Sequence, residues 1–307
     1  MKYPIKLDDN AILSYLWLGR IGVLNNQTFI EGVLLAPPGT IITYDLKSNK
    51  LSTYKYYELQ YKAKIKDEKL ATNIICYALI KSIKQVLKIL PYEMKKNICI
   101  FLSGGLDSRT ITYILKYQVN NLKALTFGTK KCDEIIIASH VAKKFGVEHV
   151  IEKYDLDQLA NYAYETIRLS DGFDIVNAAQ VVHELRMLLK NECQIFTSGF
   201  ALDLTLGGSY IGGPIIRSVN ELYSYILEKS SVFNHKELMS IVDSRLKYEI
   251  LEVLRKFKKL VSLIPADNYL NRNDTFLLYT RVRRFTLYGS IILRNASEEI
   301  LPNRIDC

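Results

Sequence analysis

The chain has 307 residues, 49% of them hydrophobic, and a formal net charge of +9 at pH 7. This length can bury the core of one large domain, with or without an appendage, and the hydrophobic content is ordinary for a soluble globular protein. No run of about 18 uncharged apolar residues occurs, so we expect no membrane span. The basic residues are spread over many predicted helices, apart from a cluster at residues 281–284, and this argues against a nucleic-acid-binding surface.

The five cysteines are scattered, with no C-x-x-C spacing, and therefore predict neither a zinc site nor a disulfide framework. Cys99 and Cys193 lie in or beside apolar runs, and we expect them to be buried as small hydrophobic side chains. The first residues lack the apolar core of a signal peptide, so we expect a cytoplasmic protein.

The first 59 residues predict a small β-containing unit. A short helix is expected at residues 9–16, and turn signals such as Pro37-Pro38-Gly39 follow it. Two short β-like runs lie at residues 40–44 and 51–54. The pattern then changes, and residues 60–307 are predicted to form a second domain.

Helices and strands alternate in this second part. Helices are predicted at residues 67–90, 108–116, 133–145, 156–169 and 178–189, and strands at residues 98–102, 122–127, 148–151 and 194–197. Such alternation predicts an α/β fold, a parallel sheet with helices on both faces. Beyond residue 218 the chain is predicted to be mostly helical.

One loop is far more informative than the rest, Ser103-Gly104-Gly105-Leu106-Asp107-Ser108. It lies between a predicted buried strand and a predicted helix, which aims backbone N–H groups and the positive end of the helix dipole at one point. The two glycines let the backbone approach an anion closely. Asp107 is placed to hold Mg²⁺ that bridges phosphates. No Gly-Lys-Ser/Thr follows the glycines, so this is not a Walker A loop.

Two other predicted strands end in polar or glycine-rich loops, at Gly128-Thr129 and Ser198-Gly199. Ligands bind at the carboxyl ends of the strands in sheets of this kind. We therefore predict that these loops converge with residues 103–108 on one site.

The loop at residues 103–108 resembles the pyrophosphate loop of the ATP pyrophosphatases, and the order of further motifs resembles the asparagine synthetases. Leu125-Thr126-Phe127-Gly128, followed by Asp133-Glu134, is similar to one of their segments. Residues 197–208 are similar to their signature Ser-Gly-x-Gly-x-Asp-Glu-x-x-Gly-Gly. Residues 9–39 resemble the end of their glutaminase domain, so residues 1–59 are predicted to be a remnant of that domain.

The resemblance implies the fold of the ATP pyrophosphatases and a role for each matching residue. Pyrophosphate would be held by Ser103, Gly104, Gly105 and Ser108. Asp107 and Asp203 would be the catalytic carboxylates that hold Mg²⁺. The adenine pocket would be lined by Leu102, Phe127 and the backbone of Ser198 and Gly199.

Several positions depart from the family pattern. Position 2 is Lys2, whereas the glutaminase needs an exposed N-terminal cysteine, so we expect no glutaminase activity. Phe200 stands where these synthetases often have a catalytic glutamate, and Leu204 replaces the glutamate of the Asp-Glu pair. A later lysine that steadies pyrophosphate has no counterpart that we can place near residues 301–306.

The resemblance implies a ligase that uses ATP and Mg²⁺ to adenylate a carboxylate, aspartate by default, and then forms an amide. Phe200 leaves room for another acceptor, as in the β-lactam synthetases and lasso-peptide cyclases that resemble this family. The nitrogen would come from ammonia, from a partner glutaminase or from the amine of the substrate. The alternatives are a nucleotide-binding pseudoenzyme or one subunit of a split synthetase completed by a C-terminal partner chain. A tRNA-modifying pyrophosphatase is a third, less favoured reading.

Overall fold

The computed structural model describes residues 4–19, 22–61, 65–129, 132–153, 156–169, 183–184, 187–188, 190–206, 208 and 213–284. The chain divides into two compact units. The helical unit combines Met1–Lys64 with Leu204–Phe285, and the sheet unit contains Ile65–Asp203. The predicted boundary near residue 60 and the glutaminase origin of residues 1–59 stay predictions.

The described helices and strands follow the predicted order closely. The strands are β1 (Thr40–Asp45), β2 (Lys50–Lys55), β3 (Ile98–Phe101), β4 (Leu122–Gly128), β5 (Glu148–Lys153) and β6 (Ile195–Ser198). The helices are α1 (Asp9–Leu18), α2 (Glu68–Ile89), α3 (Leu106–Lys116), α4 (Asp133–Phe145), α5 (Leu156–Leu169), α6 (Leu202–Thr205), α7 (Val219–Ser230), α8 (His235–Ile241), α9 (Lys247–Leu263) and α10 (Tyr269–Leu277). Short 3-10 helices lie at Glu93–Lys95 and Ser244–Leu246, and a π-helical turn at Leu278–Val282 follows α10. The helix predicted at residues 178–189 lies largely outside the described residues.

A four-stranded parallel sheet forms the centre of the sheet unit, in the order β5-β4-β3-β6. The chain proceeds outward from β3 to β4 and β5, and it then returns to place β6 on the other side of β3. The strand order therefore reverses between β3 and β6. In open α/β sheets, the crevice at such a switch point is where ligands bind.

Helices cover both faces of this sheet. Alternate residues of each strand point to opposite faces, so each strand contributes side chains to two clusters. Ile98, Ile100 and Ala124 form one cluster with side chains from α2, α3 and α4. Cys99 and Leu125 point the other way and pack against Leu169 of α5, Met187 and Leu188. The predicted α/β fold, a parallel sheet with helices on both faces, is confirmed.

The helical unit has its own core, formed by α1, α7, α8, α9 and α10. Phe257 and Phe276 are fully buried there, with their ring centroids 5.8 Å apart in an edge-to-face arrangement. The antiparallel pair β1 and β2 belongs to the same unit, and nearly all of its residues are exposed. The predicted helical character beyond residue 218 and the N-terminal β-containing segment are confirmed.

Arg283 and Arg284, near the end of the described chain, contact the N-terminal loop, whereas Arg281 is exposed. Arg284 is 3% exposed and donates to the carbonyl oxygens of Asn25 and Gln27, at 3.0 and 3.1 Å. Arg283 donates to Asn26 Oδ1 at 2.8 Å. Because these guanidinium groups hold the N-terminal loop by hydrogen bonds, their visible role is structural.

The expectation about the cysteines was wrong in one respect. Cys99 is buried, as predicted, and Cys193 is partly buried, but the two form a disulfide bond with a Cα–Cα distance of 5.7 Å. It joins β3 to the segment that leads into β6. The two cysteines are 94 residues apart in the chain, so their spacing gave no sign of this pairing. Disulfides are rare in cytosolic proteins, and cytoplasmic localisation stays a prediction.

Among the described residues, α2 is the one helix long and apolar enough to cross a membrane by length and composition. One such helix is weak evidence of a membrane span. In the structure, Ile83 and Leu87 of α2 pack against the core of the sheet unit, while apolar residues such as Ile74 and Val86 are exposed.

Candidate functional site

The loop after β3 is closed by hydrogen bonds among its own serines. Ser103 N–H donates to Ser108 Oγ at 3.1 Å, and the two hydroxyl oxygens are 3.0 Å apart. Gly105 N–H donates to Ser103 Oγ at 3.2 Å. Ser108 is 4% exposed, so its hydroxyl is shielded from water. These hydrogen bonds therefore hold the loop against the first turn of α3. The two serines therefore shape the concave backbone that the sequence predicted for an anion.

Helices α3 and α4 begin next to this loop, and both begin without a side-chain cap. Their N-cap residues, Gly105 and Cys132, make no side-chain hydrogen bond to the helix. In contrast, Asp67 caps α2 and Ser218 caps α7. The first turns of α3 and α4 thus keep N–H donors that a bound anion can satisfy.

The loop after β6 lies directly against the loop after β3. A Cβ atom built on Gly199 would lie 2.4 Å from Ser108 N and 2.7 Å from Asp107 Cβ. Only glycine allows this approach between two backbones. The strand ends predicted to converge do so at β3 and β6, the point where the strand order reverses.

The same approach brings two carboxylates together. Burial raises the pKa of Asp107, and the negative charge of Asp203 raises it further. The backbone N–H of Asp203 donates to Asp107 and opposes this shift. Two facing acids at the edge of a sheet repel each other without a cation, and a divalent cation between them and a phosphate removes the repulsion.

Neighbouring strand β4 is tied to the same edge by a hydrogen-bond chain. Thr126 Oγ1 donates to Leu102 O at 2.7 Å and lies 2.8 Å from His149 Nε2. Because the Thr126 hydroxyl proton points at Leu102, Nε2 of His149 must carry a proton and donate. Burial lowers the pKa of His149, which favours its neutral form. His149 thus has a structural role, because it joins β5 to the Thr126 hydroxyl that in turn bonds Leu102 after β3.

The residues assigned to an adenine pocket lie close to this edge, with different degrees of exposure. Leu102 is 1% exposed and packs in the core beneath α3 and α4. Phe127 is partly buried and packs edge-to-face on Phe101, with 6.0 Å between ring centroids. Ser198 Oγ accepts from Phe200 N–H at 3.3 Å, which holds the turn after β6. Their contact with adenine stays a prediction.

Arg109 was missed by the sequence reasoning. It lies one residue beyond Ser108, and its Nη2 donates to Gly104 O at 3.0 Å. The guanidinium therefore holds the Gly104 carbonyl in place by a hydrogen bond, and it adds a positive charge next to the loop. The sequence signal was available, since an arginine directly after an anion loop is itself a candidate phosphate partner.

The residues present fit a magnesium–phosphate group. Asp107 and Asp203 are two adjacent carboxylates, and Mg²⁺ is usually bound by one or two carboxylates together with phosphate oxygens and water. The described residues contain no cluster of three or more metal-ligating side chains, so phosphate oxygens would have to complete the coordination.

Comparisons with known proteins give a family match and a structural similarity. The family model described as asparagine synthase matches residues 93–201, less than half of the chain. No curated protein sequence matches the chain. Among solved structures, the chain is similar to an NH3-dependent NAD synthetase from Campylobacter jejuni, solved with a nitrate ion. The two are 16% identical, with a TM-score of 0.31, over 61% of this chain and 96% of that one. The family match thus covers the part of the chain that holds the loop, β3, β4 and β6, and it is a similarity to the asparagine synthase model over these residues.

Proposed function

We propose that the chain is a carbon–nitrogen ligase that uses ATP and Mg²⁺ to adenylate a carboxylate, with release of pyrophosphate. The family match over residues 93–201 supports an ATP-using amide ligase. The single observation that carries the proposal is the contact of Gly199 with Asp107 and Ser108. This contact brings the anion loop and both carboxylates to one point.

In the proposed reaction, a substrate carboxylate oxygen attacks the α-phosphorus of ATP. The bond from that phosphorus to the bridging oxygen breaks, and pyrophosphate leaves. An amine then attacks the acyl carbon, AMP leaves, and the nitrogen loses a proton. The first step concentrates negative charge on the leaving pyrophosphate, so donors fixed in advance around it lower the barrier.

Each element of the site has a role in this scheme. The loop N–H groups and the hydroxyls of Ser103 and Ser108 would hold pyrophosphate, and Arg109 would keep Gly104 in place. Asp107 and Asp203 would hold Mg²⁺, which supplies charge neutralisation at the phosphates. Asparagine synthetases take aspartate, and aspartate is the default substrate of the proposal. Ammonia, a partner glutaminase or the amine of the substrate would supply the nitrogen.

A second candidate function rests on Phe200. This residue is 47% exposed, at the position where the family signature often carries glutamate. A large apolar side chain there cannot accept a proton from an attacking amine. Its exposure favours either an acceptor with an apolar part or a nucleotide-binding protein that has lost the second step.

The test is exchange of labelled pyrophosphate into ATP in the presence of Mg²⁺, with and without aspartate. The proposal predicts exchange that requires a carboxylate and that falls at least about 100-fold in Asp107→Ala. Asp157→Ala, which removes an exposed acid of α5, is the matched control and should exchange as the wild type does. ATP binding without exchange for a panel of carboxylates, with and without a glutaminase, would favour the pseudoenzyme. Absence of both ATP binding and exchange would overturn both functions.

A further inference from the structure

A second cavity lies in the sheet unit, at the edge opposite to the candidate active site. Its volume is about 750 Å³. Asn97 directly precedes β3 and Asn121 directly precedes β4, so the cavity is at the amino ends of these strands. Since β3 has four residues at about 3.3 Å each, roughly 13 Å of strand separates the two edges. The cavity is therefore distinct from the loop at residues 103–108.

The lining of this cavity is strongly basic. Four lysines line it, Lys84, Lys88, Lys95 and Lys96, and no carboxylate is among its described lining residues. Lys96 pairs with Glu93 nearby, whereas the described part of the chain offers no ion pair to the other three. Four positive charges around one concave surface create a local potential that attracts anions.

Two of these lysines also repel each other within one helix. Lys84 and Lys88 are four residues apart on α2 and so share one face of the helix. Like charges at this spacing destabilise a helix. A ligand that neutralises them would remove this repulsion, and this gives the cluster a physical reason to bind an anion.

The polar wall opposite α2 is held in place. Asn121 Nδ2 donates to Lys96 O at 2.9 Å and to Asn97 Oδ1 at 3.0 Å. Leu87 and Val119 supply an apolar floor that packs on the core of the sheet unit. The cavity thus has a hydrogen-bonded polar wall and an apolar floor, with the lysines in its lining.

We propose that this cavity binds a small polyanion carrying at least two phosphate groups, through Lys84, Lys88 and Lys95. Ammonium groups bind phosphate as point charges and need no single geometry. The volume is that of a pocket for one small molecule. Nucleic-acid-binding surfaces instead spread their basic residues along a groove, and the other basic residues of this chain are dispersed. This binding site is independent of the proposed ligase activity.

The experiment is isothermal titration of the full chain with inorganic tripolyphosphate in buffer without Mg²⁺. The test variant is Lys84→Gln with Lys88→Gln. The control is Lys69→Gln with Lys81→Gln, which removes the same charge from the same helix outside the cavity. Substitutions of exposed lysines such as these have little effect on stability, so both variants should fold.

Tripolyphosphate can also bind at the loop of residues 103–108, so the wild type and the control should show two binding events. We expect the test variant to weaken one of these events at least about tenfold, and the control to keep both within about twofold. A single Lys95→Gln substitution, in a different segment, should weaken binding in the same direction. Equal binding by wild type, test variant and control would overturn the site. A 12-nucleotide single-stranded RNA that binds at these lysines, with no tripolyphosphate binding there, would overturn the assignment to a small ligand.

Discussion

The substitution Gly199→Ala tests the contact on which the candidate site depends. The added Cβ would lie 2.4 Å from Ser108 N, about 1 Å short of the ordinary contact distance of 3.4 Å. It would also lie 2.7 Å from Asp107 C and Asp107 Cβ. The neighbours are the backbone of the first turn of α3 rather than the end of a flexible side chain. The two loops must therefore separate.

Overpacking of this kind costs about 1–3 kcal/mol, which corresponds to a fall in Tm of about 2–4 °C per kcal/mol for a domain of this size. Separation by about 1 Å also moves Asp203 away from Asp107, and a displacement of that size can reduce a reaction rate about 100-fold. We expect Gly199→Ala to lower both the Tm and the rate of pyrophosphate exchange, with weaker binding of ATP.

Gly105→Ala is the comparison within the same site. Its Cβ would lie 3.3 Å from Ser103 Oγ, a side-chain atom that can rotate, so we expect a smaller loss of stability. Differential scanning fluorimetry and ATP titration would measure both variants. A Gly199→Ala protein with the Tm and ATP affinity of the wild type would refute the close packing of the two loops.

Three further substitutions test the charges and backbone of the sheet unit. Ala201 has a φ of 61°, so Ala201→Gly should raise the Tm by relieving about 1 kcal/mol of left-handed strain, and a lower Tm would contradict this. Asp203→Asn should lower the pKa of Asp107. A carboxyl whose pKa is raised in the folded state destabilises the fold as pH rises above its pKa in the unfolded chain. This variant should therefore raise the Tm by about 1–3 °C at pH 7 in EDTA, and it should weaken Mg²⁺–ATP binding about tenfold. An unchanged pH profile of the Tm would count against the interaction of Asp107 with Asp203. Burial raises the pKa of Glu184 to about 7, so the wild-type protein loses free energy of unfolding as pH rises from about 4.5 to 8. Glu184→Gln removes this loss, and in urea unfolding it should stabilise the protein by about 2 kcal/mol more at pH 8 than at pH 5. Equal effects of the substitution at the two pH values would refute the raised pKa of Glu184.

Much of the sheet unit could be predicted from local patterns. The bounds predicted for α4 and α5, residues 133–145 and 156–169, are those observed, because each segment has helical periodicity and begins after a turn signal. The convergence of the loops after β3 and β6 followed from a general property of parallel sheets.

Features that depend on distant parts of the chain were not predictable. The disulfide joins Cys99 of β3 to Cys193, which lies just before β6, and these two strands are neighbours only in the folded sheet. The packing of Arg284 on Asn25 joins segments 259 residues apart. The grouping of residues 1–64 with residues 204–285 is likewise a product of tertiary contacts that no local pattern carries.

The most direct test of the account is a crystal structure with Mg²⁺ and α,β-methylene-ATP, in which the bond to be broken is blocked. We predict that the phosphates lie within hydrogen-bond distance of Ser103, Gly105 and Ser108, with the cation between them, Asp107 and Asp203. A nucleotide bound elsewhere, with its phosphates away from this loop, would contradict the central claim.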